Sequence, residues 1–450
     1  MYYQPKGLAF NDFEVVEENG EYHVFHIQGV KMFPYDSAII GNSFGHATSN
    51  NLIEWNEQPT IMEPSRSEQM CDNASLYTMS VIKKDGLYFM FYTGLGTQEY
   101  KKQRVCMAVS KDLYYWEKYP NNPIVEADSS WYRTDGETMS WRDPFILYDN
   151  VSSTYYMYIC ARSKEREPEM GGCIAVASSS NLFDWEVHPP IYDPKDVKDA
   201  ECPVVYELNG TYYLFYSKDG ERKIRYLVSD RPNSGFREVD TNPLSDWQVY
   251  ANRITEYKGQ YMFLHTIKER HGKVDTGGVR RGYLAPPKIL EINKDGKLAL
   301  KYFCERNNFY ELNDSNVKRN GMIKFKERFT KEDQIIFYLR TNKDLTNGFF
   351  LKITENKLEF SSLSDSHMYL KKDIELKEAI HEFRLIMEKE YFELYINDYL
   401  VMVSFGYAAL EGQVTICKND TPIKFDYYKK VKPNRLFFTS EKKGDPVCQR

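Results

Sequence analysis

Three acidic residues stand in similar surroundings along the chain. Asp12 lies eight residues before Gly20, Asp143 about ten before Ser153, and Glu201 nine before Gly210. Each introduces an apolar stretch that would ordinarily reject a carboxylate: LAFNDFEVV, SWRDPFILYDN and DAECPVVYELNG. Carboxylates that converge on one place repel each other and lose water. Both effects raise pKa and separate the role of acid from that of base or nucleophile. Glycoside hydrolysis needs such a division, with one carboxylic acid to protonate the leaving oxygen and one carboxylate opposite it. Solvated acids at strand ends are common, but three in one register point to a site. Arg142 is expected to lower the pKa of Asp143. Apolar Cys202, Pro203 and Val204 are expected to raise that of Glu201.

The register is set by a repeat. A turn followed by an aromatic-rich alternating stretch occurs five times: NGEYHVFHIQ from Asn19, DGLYFMFYTG from Asp85, STYYMYICAR from Ser153, NGTYYLFYSK from Asn209 and KGQYMFLHTI from Lys258. Period-two alternation after a turn predicts strands. A second phrase, Ser-x-x-Leu-x-x-Trp, follows at Ser49, Ser110 and Ser179, with worn copies at Tyr226 and Tyr283. It reads as strand, turn, strand, with Trp55, Trp116 and Trp185 packed between neighbouring units.

The turn positions Gly20, Gly86, Thr154, Gly210 and Gly259 are 66, 68, 56 and 49 residues apart, which suits a four-stranded sheet plus loops. An all-strand repeat of this period predicts a five-bladed β-propeller over residues 1–305, with the first strand of each blade lining a central channel. On the inner strands of blades two and five the candidates are Asp72 and Asn252. Residues 322–430 alternate without the repeat phrases and predict a β-sandwich, assigned to 320–435, with a tail at 436–450. IELKEAIHEF, from Ile374, is expected to hold one helical turn. The join at 302–321 has no Pro/Gly/Ser-rich linker, so the two domains are expected to dock tightly.

Composition excludes several classes. The 450 residues carry 59 Lys and Arg against 65 Asp and Glu, a net charge of −6 without a long basic run. That argues against nucleic acid or an anionic membrane as partner. Aromatics make up 15% of the chain, which rules out disorder, favours strands and suits sugar binding. No apolar run approaches the roughly 18 residues of a membrane span. The start, MYYQPKGLAF, carries no charged and then apolar leader. Eight sparse cysteines without a CxxC signal neither a zinc site nor a disulfide framework. The expectation is a cytoplasmic protein with reduced thiols and neither metal nor cofactor.

With these motifs in place, the chain resembles glycoside hydrolase family 32, the β-fructofuranosidases that include invertases, inulinases and levanases. The resemblance covers nearly the whole chain, including the sandwich phrase FRLIMEKEYFELYINDYLVM from Phe383. The family's Asn-Asp pair is matched by Asn11-Asp12, its Arg-Asp-Pro by Arg142-Asp143-Pro144, its Glu-Cys by Glu201-Cys202, and its Trp-Gly-His by Phe44-Gly45-His46. The resemblance implies a retaining mechanism with Asp12 as nucleophile, Glu201 as general acid/base and Asp143 as transition-state stabiliser. The substrate-binding set read with it is Asn11, Arg142, His46, Gln28, Asp72 and Trp141, facing an oligosaccharide or small glycoside.

Where the family continues its pair with Pro-Asn-Gly, this chain has Phe13-Glu14-Val15, and CDNASLYTMS holds no Phe-Ser-Gly-Ser. Two further readings stay open. One is an inverting enzyme like the arabinofuranosidases and xylosidases of family 43, with Asp12 as base. The other is a carbohydrate-binding propeller without catalysis, or a glycosyl transferase. Trp131, Tyr77, Tyr100 and Trp247 are additional aromatic candidates around the mouth. The basic stretch 268–282 reads as a solvated loop, or as a phosphate contact through Arg280 or Arg281.

Overall fold

The computed structural model describes residues 2–29, 42–97, 102–136, 138–219, 223–240, 243–246, 249–270, 279–312 and 320–431, together with 221, 272 and 274. The tail at 436–450, Tyr100 and Trp247 lie outside the described residues, as do the side chains of Arg280 and Arg281.

Five antiparallel units follow one another. Blade one holds β1 (Ala9–Glu18), β2 (Glu21–Gly29), β3 (Ser43–Ser49) and β4 (Asn56–Met62). Blade two holds β5 (Ser75–Lys84), β6 (Leu87–Leu95), β7 (Gln103–Ser110) and β8 (Trp116–Lys118). Blade three holds β9 (Trp141–Asp149), β10 (Thr154–Arg162), β11 (Gly172–Ser179) and β12 (Glu186–Tyr192). Blade four holds β13 (Ala200–Leu208), β14 (Thr211–Lys218), β15 (Lys223–Ser229) and β16 (Arg237–Glu238). Blade five holds β17 (Val249–Tyr257), β18 (Gln260–Arg270), β19 (Val279–Leu284), β20 (Lys288–Ile292) and β21 (Leu298–Tyr302).

The first strands touch in a closed ring: β1 on β5, β5 on β9, β9 on β13, β13 on β17, and β17 back on β1. This is the five-bladed propeller that the repeat predicts. A clasp closes it, since Phe10 of β1 pairs with Gly282 of β19, and Tyr3 bridges to Leu284.

The repeat phrases work as local devices. Asn19-Gly20, Asp85-Gly86, Asn209-Gly210 and Lys258-Gly259 have positive φ at both residues, the turn whose twist matches the flanking strands. In the second phrase Ser49, Ser110 and Ser179 each accept the amide N–H of the Leu three residues on, at 2.9 Å. The turn places each Trp against a neighbour: Trp116 stands edge-on to Phe25 of blade one, and Trp185 edge-on to Phe91 of blade two. These tryptophans are inter-blade packing.

The remaining strands form two stacked sheets. One runs β22 (Tyr310–Leu312), β33 (Asp426–Lys430), β23 (Gly321–Phe329), β28 (Ala379–Glu388), β29 (Tyr391–Ile396) and β30 (Tyr399–Phe405). The other runs β27 (Met368–Asp373), β26 (Lys357–Ser362), β25 (Phe349–Ile353), β24 (Ile335–Thr341), β31 (Gln413–Lys418) and β32 (Thr421–Pro422). Phe325, Phe337, Leu351, Phe360, Phe383 and Leu394 fill the space between them. The helical turn expected at Ile374 does not form; Ile374 and Leu376 instead donate their amides to Asn356 and Glu355 as extended backbone.

The sandwich is fused to the propeller by a shared sheet, because β21 of blade five pairs with β30 through Lys301 and Tyr399. Beside this seam lies a wholly buried ionic cluster. Glu393 of β29 receives Lys288 of β20 at 2.7 Å and Arg306 at 2.7 Å. Tyr391 and Tyr395 donate to the same carboxylate, and His265 sits 2.8 Å from the Lys288 ammonium. The Glu393 carboxylate receives four donors, which offsets the cost of burying it, while Arg306 Nε and Nη2 make no hydrogen bond among the described residues. Among the described residues no helix is long and apolar enough to cross a membrane.

Candidate active site

Every inner strand carries a bulge near its start, where register with the second strand of its blade slips. The slips fall between Phe10 and Phe13, Tyr77 and Met79, Arg142 and Phe145, Glu201 and Val204, and Tyr250 and Asn252. A bulge re-aims side chains out of the pleat, here towards the channel mouth. Asp143, Cys202 and Ala251 sit in these bulges with φ of 59°, 49° and 41°. Such a conformation is unfavourable for a residue with a Cβ and persists at sites where the fold enforces it. The three acids therefore occupy neighbouring bulge positions, not one common position. Asp12 and Asp143 lie within the slip of their strands, and Glu201 just before it, in the register of Arg142 and Tyr250. Blade two contributes Thr78 at this level rather than Asp72.

Asp12 is buried, and its Oδ2 accepts Thr78 Oγ1 at 2.9 Å. Its Oδ1 is buried with no hydrogen-bond partner among the described residues. Asp143 is held by its backbone, whose N–H donates to Thr93 Oγ1 at 2.9 Å, and its Oδ2 accepts the Cys202 N–H at 3.0 Å. Side-chain atoms of Asp12, Asp143 and Cys202 lie within 4.8 Å of one another. Burial drives the Asp143 carboxyl up, Arg142 at 3.7 Å pulls it down, and Asp12 adds to the rise. The net direction is upward. This corrects the expectation that Arg142 would lower it: desolvation and the neighbouring acid outweigh the guanidinium.

Glu201 keeps about 24% of its side chain exposed. Arg142 Nη2 donates to its Oε1 at 2.8 Å, and the Tyr250 hydroxyl makes a very short contact with its Oε2. Burial pushes its pKa to about 7, with Arg142 opposing and Asp199 and Asp143 assisting. Arg142 also reaches Asp199 Oδ2 at 3.2 Å, and Asp199 is itself clamped by Arg162 at 3.0 and 2.9 Å. Burial would raise Asp199, but Arg142 and Arg162 hold it down to about 2.

The rest of the predicted set divides. Asn11 belongs to the site: its Oδ1 accepts from Lys268 Nζ at 2.5 Å, and that ammonium lies 4.3 Å from the Tyr250 ring centroid. His46 does not. It packs between blades one and two against His23, Phe25 and Tyr114, and burial pushes its pKa down to about 3, so it stays neutral. His26 is likewise core, against Tyr3 and Phe10. Gln28 spends its amide on Ser43 and Thr60 of its own blade. Asp72 is tied to Lys118 at 2.6 Å and to the Tyr92 hydroxyl at 2.8 Å, inside blade two. Trp141 is wholly buried against Tyr132, with its indole N–H on the Val125 carbonyl. For these five, hydrophobic or hydrogen-bonded partners within or between the blades account for burial.

Sequence reasoning missed Thr78, Asp199, Tyr250 and Lys268. Tyr250 carried a readable signal, because it stands in blade five where Glu201 stands in blade four. The arrangement can accept a pyranose or furanose edge on Asp143, place Asp12 on one side of an anomeric carbon, and supply a proton from Glu201.

Comparison with known proteins agrees with this fold. The family described as "Glycosyl hydrolases family 32 N-terminal domain" matches residues 3–265. The sucrose-6-phosphate hydrolase of Bacillus subtilis is 27% identical over 240 residues, covering 52% of this chain and 46% of that protein. The fructan beta-fructosidase of Streptococcus mutans is 27% identical over 268 residues, covering 57% of this chain and 15% of that protein. The matched stretch thus spans less than half the length of these curated relatives. Among solved structures, the sucrose-6-phosphate hydrolase of Lactobacillus gasseri superposes with a TM-score of 0.75 at 17% identity, covering 94% of this chain and 91% of that one. The GH32 beta-fructofuranosidase BmSUC1 of Bombyx mori gives 0.71 at 17% identity, with the same coverage.

Proposed function

Since the chain belongs to glycoside hydrolase family 32, we propose that it cleaves a terminal β-fructofuranoside by double displacement. Asp12 attacks the anomeric carbon as the bond to the leaving oxygen breaks, and the Glu201 proton passes to that oxygen. Water then attacks the glycosyl ester and yields its proton to Glu201, which regenerates Asp12 as a carboxylate. Asp143 accepts hydrogen bonds from ring hydroxyls that strengthen as the oxocarbenium-like state develops. Arg142 orients Asp143 and Glu201 together.

The observation that carries this reading is the division of the acids. Glu201 is pushed to about 7, so it holds a proton near neutrality. Asp12 is buried beside Asp143 and Cys202, within 4.8 Å, with one oxygen unpartnered among the described residues. Sucrose and its 6-phosphate are the first substrates to try, because curated relatives are named for the phosphorylated sugar. A solved relative was complexed with sucrose. The seven described cysteines are free thiols, which supports a reducing compartment such as the cytoplasm. The propeller, taken as residues 1–305, would bear the chemistry, and the sandwich, taken as 320–435, would buttress blade five.

A hydrolysis screen tests the proposal. Sucrose, sucrose 6-phosphate, 1-kestose and inulin are offered beside aryl arabinofuranosides and xylosides, and free fructose or fructose released with glucose 6-phosphate is measured. Turnover of at least one β-fructofuranoside is expected. Turnover of pentosides alone would contradict the reading.

A further inference from the structure

We propose that Asp199 is a positioning residue for Glu201: by sharing the Arg142 guanidinium it prevents that cation from fixing Glu201 as a carboxylate. The inference rests on the reading of Glu201 as proton donor. Arg142 Nη2 is forked, 2.8 Å from Glu201 Oε1 and 3.2 Å from Asp199 Oδ2. Its Nη1 donates to Ser140 Oγ at 2.8 Å, and the Ser140 hydroxyl donates to Asp199 Oδ1 at 2.6 Å. Arg162 completes the clamp with two bonds to Asp199 and a third to the Thr138 carbonyl at 3.0 Å. Asp199 is buried and never reaches the channel acids directly, so its influence passes through Arg142 and through its own negative charge.

The signs follow from the groups that face Glu201. From β9 come Arg142 and Asp143, from β10 the Cys160 thiol, from β17 Tyr250, and from the segment before β13 Asp199; Asp12 of β1 lies beyond Asp143. Arg142 is the one cation bonded to Glu201 among the described residues, and Lys268 is spent on Asn11 and the Tyr250 ring. Were Arg142 free of Asp199, its full attraction would favour the Glu201 anion, and a like charge would be gone as well. Both changes weaken the hold of Glu201 on its proton. Removing Arg162 acts the other way. Asp199 would then lean on Arg142 alone and draw it from Glu201, and a nearby positive charge would be lost.

The experiment is a pH–rate profile for sucrose, or for the best β-fructofuranoside of the screen, with wild type, Asp199→Asn, Arg162→Gln and Glu201→Gln. Asp199→Asn should move the alkaline limb down by roughly 1 pH unit, the usual scale for one nearby charge. Arg162→Gln should move it up. An aryl fructoside, whose leaving group needs no proton, should show neither shift in its glycosylation rate. A merely structural role would lower kcat without opposite displacements of the limb. Shifts in the same direction, or none, with the limb abolished by Glu201→Gln, would overturn the proposal alone. A limb that survives Glu201→Gln would overturn both the proposal and the reading beneath it. If Asp199→Asn does not fold, the sign of the Arg162→Gln shift decides: upward supports the proposal, and downward or unchanged refutes it.

Discussion

Replacing Glu201 by Gln removes one proton and little else. The amide keeps the shape of the carboxylic acid, and its oxygen can still accept from Arg142 at the 2.8 Å now seen. The magnitude follows from the environment. With a pKa of about 7 the group is about nine-tenths protonated at pH 6, where an ordinary Glu would be about 3% protonated, a gain of roughly thirtyfold in competent donor. Loss of the donor should cost about 10²–10⁴ in kcat on an alkyl leaving group such as the glucose of sucrose, or about 3–5 kcal/mol in barrier. An aryl fructoside should lose much less in the glycosylation step. The wild-type rate on sucrose should fall above pH ~7 as the proton leaves, and this limb should vanish in the variant. The assay is initial-rate kinetics on both substrates from pH 4 to 9. Equal losses on the two, or no loss on either, would refute the assignment of Glu201 as acid.

Other outcomes are equally specific. Asp12→Ala should abolish hydrolysis at unchanged thermal stability, since this acid makes one hydrogen bond, from Thr78, and leaves its second oxygen unpartnered; a melt and a progress curve check both halves. Trp141→Phe should lower the melting temperature by several degrees and leave KM for the substrate unchanged, because the indole packs on Tyr132 away from the channel; a raised KM at unchanged stability would restore it to the substrate set. Glu393→Gln should destabilise the protein by about 3–5 kcal/mol at pH 7, since Lys288 and Arg306 would stay buried without their counter-charge. Burial raises the Glu393 carboxyl, but Arg306 and Lys288 overcome this and hold it far below the usual range, so its stabilisation is full above the unfolded value and fades as pH falls below about 4. Denaturant titrations at pH 7 and pH 4 should therefore show a smaller gap between variant and wild type at the lower pH.

The fold was legible because propeller blades are local. Each blade is a meander whose turns, alternation and Ser-x-x-Leu-x-x-Trp phrase sit close together in sequence, so period alone exposes them. The acids were legible for the same reason, since each lies eight to ten residues before a turn. What surrounds them was not. Arg142 meets Asp199 and Glu201 by the packing of blades three and four, and Tyr250 and Lys268 arrive from blade five, more than fifty residues away in the chain from Arg142. The substrate set rested on residue type. His46, Gln28, Asp72 and Trp141 are groups that bind sugars elsewhere, but here each is engaged by neighbours within or between the blades. The pKa of Asp143 was misjudged because a sequence shows its neighbour Arg142 but not the burial of the carboxyl or the approach of Asp12.

The central claim is that Asp12 forms a covalent bond to fructose while Glu201 manages the proton. Its most direct test is rapid-quench mass spectrometry of Glu201→Gln turning over an aryl β-fructofuranoside. The good leaving group allows the ester to form, and the missing base slows its hydrolysis. The account predicts one fructosyl residue on the peptide that contains Asp12, localised to that carboxylate by fragmentation. A fructosyl group on Glu14 or Asp143, or product of inverted configuration with no label on the chain, would contradict it.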